Sequence, residues 1–425
     1  MKNLLKTLGP GILFASTAIG VSHLVQSTRA GADFGFTMLW AIILANLFKY
    51  PFFEYGSRYA SATGESIISG YRRLGKIPIW IFFLITIVSM FLVTAAVGNV
   101  TAGFMQNLFG ISSSIGTVII IFIICIAILI SNNFSVLDRL IKVIGIVLLL
   151  STLIAFILVL FKGPVSNESL FAMDTISDKS LYLSFLIPLM GWMPTALDLS
   201  TWNSLWTVAR IKESGYHPTL KETKFDFNLG YFLSALLAIC FVTLGAYVMF
   251  GSGKAFSKSG AAFSGEVIEL YTATFGNWAE IIIASSAFSI MFGTCVAVFD
   301  GFSRSMTATI KNIFPVKTER TSETKLYRIV LLVLSFGSFA LIFHFQTDPD
   351  GFMKLVKLAT SVSFIIAPVI AVFNFILVGK KYIPDSHRPK RFMLILSYLG
   401  ILFLSIFTIF YIFQEEMINW ILTSW

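Results

Sequence analysis

Long apolar stretches alternate with short charged ones along the whole chain, and none shows the two-residue alternation of a half-buried strand. Eleven such runs lie at about 9–29, 35–56, 78–106, 114–131, 141–161, 180–206, 227–250, 277–300, 326–346, 354–379 and 392–414. About 20 residues rising 1.5 Å each cross the hydrocarbon core of a bilayer, so each run predicts a transmembrane helix. No residue between Ile77 and Leu137 is charged, and Asn107 to Ser114, with Gly110 and three serines, divides that stretch into two spans. A barrel would need alternating strands. The pattern therefore predicts an all-α polytopic membrane protein with eleven transmembrane helices.

Two of the runs are interrupted. From Thr7 to Thr28 the only titratable group is His23, yet Gly20-Val21-Ser22-His23 sits in the middle. Glycine is flexible there, and serine offers the backbone competing hydrogen bonds. The sixth run, Ser180 to Thr207, carries Gly191 and Pro194 at its centre. Proline removes a donor and clashes with the preceding turn, so Met190 to Thr195 is expected to be unwound. Such breaks survive at membrane depth only when buried in protein or lining a cavity. The first and sixth spans also run in opposite directions, and paired breaks of that kind point to inverted repeats around a midplane site. The expected organisation is one transport domain over 1–425: repeat one at about 9–161, repeat two at about 180–379 and an extra helix at about 392–414.

Composition agrees: 56% of residues are hydrophobic and 12% charged, with a mean hydropathy of +0.83, too apolar for a soluble protein. The net charge of +9 would suit nucleic acid, but the charges lie in short loops and no basic stripe is interleaved with aromatics. Their distribution instead sets orientation. With a cytoplasmic N-terminus, 23 lysines and arginines fall in inner segments. Five fall outside: Arg29, Lys162, Lys179, Lys254 and Lys258. That bias puts the N-terminus inside and the C-terminus outside a cell (inner or plasma) membrane. Met1 to Phe14 looks basic then apolar, as a signal peptide does, but the apolar run continues too far, so it reads as a retained span.

The candidate chemistry is sparse. His23 is the only histidine at predicted mid-membrane depth, and beside a break it suits a metal ion or a moving proton; a hydrogen bond to a freed carbonyl is the plainer role. Met193 offers a soft thioether to the same cavity. Asp198, on the second half of the sixth span, could take protons, bind a cation or pair with a buried base. Lys49, Glu54 and Arg58 lie towards one end of the second span, and Glu54 and Arg58 are spaced for a local ion pair, as are Asp300 and Arg304. Ser361, Ser363, Pro368 and Asn374 are placed to line a pathway or to join helices. Cys125, Cys240 and Cys295 lie in apolar runs without metal-ligand spacing. No phosphate loop and no nucleophile beside a base is present, so neither an enzyme nor a cofactor is expected.

In two blocks the chain resembles the Nramp family of proton-coupled divalent-metal transporters: Gly9-Pro10-Gly11 through Gly35 with Leu39-Trp40, and Met193-Pro194. The resemblance implies a LeuT-type inverted-repeat fold and a cation site between the broken helices. It also shows departures. The family's Asp-Pro-Gly-Asn falls on Gly20-Val21-Ser22-His23, so its metal-binding aspartate becomes Gly20. The family's Met-Pro-His becomes Met193-Pro194-Thr195, and a later histidine falls on Ser200. The coordinating methionine is kept as Met193, and the position lending a carbonyl falls on Met190. Gly20, Ser22, His23, Met190, Met193 and Asp198 are thus the expected substrate-binding residues. Among them His23 and Met193 would hold a metal, and His23 and Asp198 would carry protons. The first expectation is a secondary active transporter of a divalent metal such as manganese or iron, coupled to protons. Losing a carboxylate beside a +2 ion costs several kcal/mol even at an effective dielectric of about 20. That keeps open the alternative of a small organic or carboxylate solute, with Trp192 and Trp202 as its walls.

Overall fold

The first apolar run folds as two helices with a kinked joint. In the computed structural model, which describes residues 9–131, 134–171, 179–253, 256–257, 259–314 and 320–413, α1 (Pro10–Ala18) stops short. A π-helical turn (Ser22–Ser27) follows and leads into α2 (Thr28–Phe34). The remaining helices are α3 (Leu39–Thr63), α4 (Ile67–Leu74), α5 (Lys76–Phe109), α6 (Ser114–Ser131) and α7 (Phe134–Lys162). Then come α8 (Lys179–Gly191), α9 (Leu199–Ser214), α10 (Leu220–Val248), α11 (Gly260–Phe275), α12 (Glu280–Ile313), α13 (Arg320–Phe345), α14 (Gly351–Leu377) and α15 (Arg391–Ile412). Among the described residues there is no strand, and every apolar run contains a helix. By length and hydropathy alone, six of these helices can cross a membrane: α5, α10 and α12 to α15. Lys254 and Lys258 lie outside the described residues.

Two helices have no counterpart in the hydropathy pattern. α4 has eight residues and ends in Arg72, Arg73 and Leu74, too short and too charged to register as a span. α11 is a connecting helix whose N-terminus is capped by the Ser259 hydroxyl, which accepts from the Ala262 amide at 3.3 Å.

The bundle packs the broken helices inwards. α10 lies against α1, the π-turn, α2 and α3, while α12 pairs with α5. Close approach of α1 and α10 depends on two glycines. A methyl on Gly11 would sit 1.9 Å from the Asp226 carbonyl oxygen, and one on Gly230 would sit 1.9 Å from that of Gly11. Small residues let helix backbones meet, which apolar chains in lipid otherwise have little reason to do. Asp226 then finishes the joint: its carboxylate accepts the Gly9 amide at 3.0 Å and the Gly11 amide at 2.7 Å. It caps the orphan donors at the start of α1 from another helix. Large apolar side chains such as Phe336 on α13 and Leu402 on α15 are left on the outside, facing lipid.

The two ion pairs read from sequence form as i, i+4 bridges. Arg58 grips Glu54 with two bonds of 2.8 and 2.7 Å, fully buried, and Arg304 Nε meets both oxygens of Asp300 at 2.8 and 2.7 Å.

Candidate functional site

The first break is closed by its own neighbourhood. The α-helical ladder ends when the Ile19 amide donates to Ala15, and the Gly20 amide then turns back to Ala18 at 2.9 Å. A methyl on Gly20 would lie 2.9 Å from Cγ2 of Thr294, so the joint fits against α12 only without a side chain. The freed Ala18 carbonyl accepts the Ser22 hydroxyl at 2.6 Å, and the hydroxyls of Ser27 and Thr28 reach the carbonyls of Ser22 and His23. His23 is wholly buried; its Nε2 lies 2.8 Å from the Ser234 carbonyl on α10, and its Nδ1 lies 2.7 Å from the Ser22 hydroxyl. The Ser234 hydroxyl stands 3.2 Å from the same Nε2, which can therefore donate to the carbonyl or accept from the hydroxyl. The Ser22 hydroxyl has one proton to give. It can serve both Ala18 and His23 only if Nδ1 carries a hydrogen, which the neutral Nδ1–H tautomer supplies, with Nε2 then accepting from the Ser234 hydroxyl.

The sixth span breaks more widely. α8 ends at Gly191 and α9 begins at Leu199, so Trp192 to Asp198 is unwound, a stretch longer than Met190 to Thr195 and displaced towards α9. Gly191 approaches α14 so closely that a methyl there would lie 2.1 Å from the Thr360 carbonyl oxygen. The carbonyls freed at this break are claimed by a residue from another helix. Lys49 of α3, with no exposed surface, donates from Nζ to Met190 O at 2.7 Å, Gly191 O at 2.8 Å and Thr195 O at 3.4 Å. An ammonium has three hydrogens, and here each has a carbonyl. The face of Phe364 lies 5.8 Å from the same nitrogen and adds a cation–π contact.

Asp198 stands at the far end of the unwound segment. Its Oδ2 accepts from Ser89 on α5 at 2.7 Å, while the buried Oδ1 has no hydrogen-bond partner among the described residues.

Residues of both breaks meet around a small cavity of about 20 Å3, room for about one water. Thr17, Ala18 and Ser22 line it from the first span, and Trp192, Thr195 and Ala196 from the sixth. Thr294 closes it from α12, Val93 and Val97 from α5. Ser22 thus lies on the cavity, Gly20 beside it against Thr294, and Met190 has its carbonyl accepting from Lys49. His23 turns to α10, and Met193 is buried with its sulfur 3.9 Å from the Ser27 hydroxyl. Trp192 donates from its indole to Ser363 at 2.8 Å; Trp202 is packed against Phe302 and Gly301 instead. Among the described residues no three His, Cys, Asp or Glu side chains group as metal ligands.

Lys49 is the residue that sequence reasoning passed over. It was grouped with Glu54 and Arg58 because spacing rules see only partners one turn away, whereas its partners are 141 to 146 positions distant. The signal was present in another form, since a lysine inside an apolar run is costly enough to imply a function.

Comparison with known proteins places this geometry. The family model described as natural resistance-associated macrophage protein-like (Nramp) matches residues 11–414. An uncharacterized protein of Pasteurella multocida is 36% identical over 410 residues, spanning 96% of this chain and 92% of its own. Among solved structures, a mutant Eremococcus coleocola manganese transporter superposes with a TM-score of 0.69 at 15% identity, over 97% of this chain and 87% of that one. MhsT in complex with L-phenylalanine superposes with a TM-score of 0.61 at 13% identity, over 95% and 97%. The fold is the LeuT-type inverted repeat, with its first and sixth spans broken. The chain is an integral membrane protein and belongs to the Nramp family of transporters.

Proposed function

We propose that this chain is a secondary active transporter whose cargo binds between the two breaks, and that the cargo is a small organic solute bearing a carboxylate. The observation that carries the reading is the Lys49 ammonium, which holds the carbonyls of Met190, Gly191 and Thr195. A free cation bound there would need those same oxygens. With Gly20 in place of an acid, no carboxylate lines the cavity, and Lys49 stands behind one of its lining residues, holding the Thr195 carbonyl. The Thr195 and Ala196 amides have no hydrogen-bond partner among the described residues and precede the positive end of α9. These two amides are the donors the cavity offers an anion, since the hydroxyls of Thr17, Ser22 and Thr294 already donate to the carbonyls of Leu13, Ala18 and Ser16. MhsT, of the same fold, is solved with an amino acid bound.

A second reading keeps a divalent metal such as manganese or iron as cargo. It is favoured by the retained Met193 sulfur, the Met190 carbonyl and the manganese transporters of the same fold. In that reading a metal displaces Lys49 from its carbonyls. Under either reading His23 is the group for proton coupling, because its buried imidazole joins the first break to α10 through Ser22 and Ser234. The positive-inside bias supports a cytoplasmic N-terminus in the cell membrane.

Calorimetric titration of the purified chain separates the two. Small carboxylates and amino acids are titrated alongside manganese, iron(II), cadmium and magnesium, with a His23→Ala, Met193→Ala double variant as control. Binding of a carboxylate without binding of any metal supports the first reading. Micromolar binding of a soft metal, lost in the double variant, replaces it with the second. For coupling, His23→Gln should abolish uptake driven by a pH gradient and spare solute exchange; unchanged pH dependence removes that role.

A further inference from the structure

A cavity of about 660 Å3 lies away from the two breaks, in a groove where α3 forms the floor and α10 and α15 the walls. Its composition is divided. Leu47, Phe232 and Phe392 form an apolar slope, 43%, 60% and 72% exposed, which in a membrane protein means that it faces lipid tails. Lys224, Arg388 and Lys390 stand at its rim, and no acidic residue lines it. This rim lies at the end of the bundle that the lysine and arginine bias assigns to the cytoplasm.

The basic groups are not used up by the fold. Lys224 and Lys390 make no ion pair among the described residues, and Arg388, though bridged to Asp385, has a buried Nε without a hydrogen-bond partner. The floor, by contrast, is fixed: Tyr231 donates to the Asn46 carbonyl at 2.5 Å and Tyr50 to Asn228 at 2.7 Å. A rigid, lipid-open apolar slope ending in two unpaired lysines and an arginine with an unused Nε matches a molecule with acyl chains and a phosphate.

We propose that this groove binds an anionic phospholipid, its phosphate between Lys224, Arg388 and Lys390 and its chains along Leu47, Phe232 and Phe392. Juxtamembrane lysines and arginines attract anionic headgroups, and a pocket between helices adds the geometry that a diffuse basic surface lacks. The occupant would brace α3, which carries Lys49, against α10, which carries Asp226. The site is independent of which solute the transporter carries.

The test uses the full chain purified in neutral detergent. Native mass spectrometry counts retained lipid, and thermal unfolding reads stabilisation by added phosphatidylglycerol or phosphatidylcholine. Phosphatidylglycerol should bind and raise the unfolding temperature, and phosphatidylcholine should not. Lys224→Gln with Lys390→Gln should weaken phosphatidylglycerol binding about tenfold or more while leaving the lipid-free unfolding temperature unchanged. A control pair, Lys212→Gln with Lys325→Gln, removes equal charge from the same side outside the groove and should bind as the wild type does. Equal binding of both lipids overturns the proposal. So does equal weakening by the control pair, which would mean diffuse charge. Stabilisation by inorganic phosphate or glycerol 3-phosphate equal to that by the lipid would place a soluble anion there and also overturn it.

Discussion

The two breaks solve one problem in different ways. Each interrupts a helix where no water can reach the freed backbone, so each must find partners for orphaned carbonyls. The first does so locally. Ser22, Ser27 and Thr28 fold their hydroxyls onto carbonyls four or five residues back, and His23 reaches one helix away. The sixth break does so remotely, by drawing in a charged side chain from α3. A break stitched by hydroxyls is neutral and can loosen bond by bond. One held by an ammonium carries a charge and closes or opens as a unit. The pair thus places a compliant joint opposite a charged one across a single cavity.

The sharpest way to break this contrast is Lys49→Ala. It leaves the Gly191 and Thr195 carbonyls without a donor among the described residues, while Met190 keeps the Met193 amide; at ~1–3 kcal/mol each, a loss of about 3 kcal/mol is expected in thermal unfolding. Solute binding should vanish with it. His23→Phe comes next. It keeps the ring volume but removes the bonds to the Ser22 hydroxyl and the Ser234 carbonyl, for an expected loss of about 1–2 kcal/mol, with pH-driven uptake abolished. Gly20→Ala should cost about 1 kcal/mol by overpacking against Thr294, and adding Thr294→Ala should restore most of it. Failure of that rescue would show that the cost lies in the backbone and not in the contact. Ser27→Ala is the mildest change, a few tenths of a kcal/mol, because the π-turn keeps its other hydroxyl bonds.

The same contrast marks what the sequence could convey. Both breaks were legible because glycine, proline and serine act on the backbone within a turn of where they stand. Gly20 to His23 and Met190 to Thr195 fall on or beside the observed joints, and the Glu54–Arg58 and Asp300–Arg304 pairs follow from helical spacing. The extension of the second break to Asp198 was not legible, since it depends on how α9 docks rather than on its own residues. Nor was Lys49, whose partners come from a helix more than 130 residues later. His23 is buried, as its place in an apolar run suggested, but its direction towards Ser234 is set by the packing of α10. α4 and α11 escaped because hydropathy registers spans, not the helices that connect them.

The central claim is that the Lys49 ammonium occupies the place of a cation at the sixth break. Thermal unfolding of Lys49→Ala with and without added methylammonium tests it most directly. The account predicts a destabilised variant that regains a large part of its lost stability with methylammonium, with no comparable gain for the wild type. If the variant unfolds like the wild type, or if methylammonium stabilises both equally, Lys49 is a buried side chain with no special hold on the break, and the reading of the site fails with it.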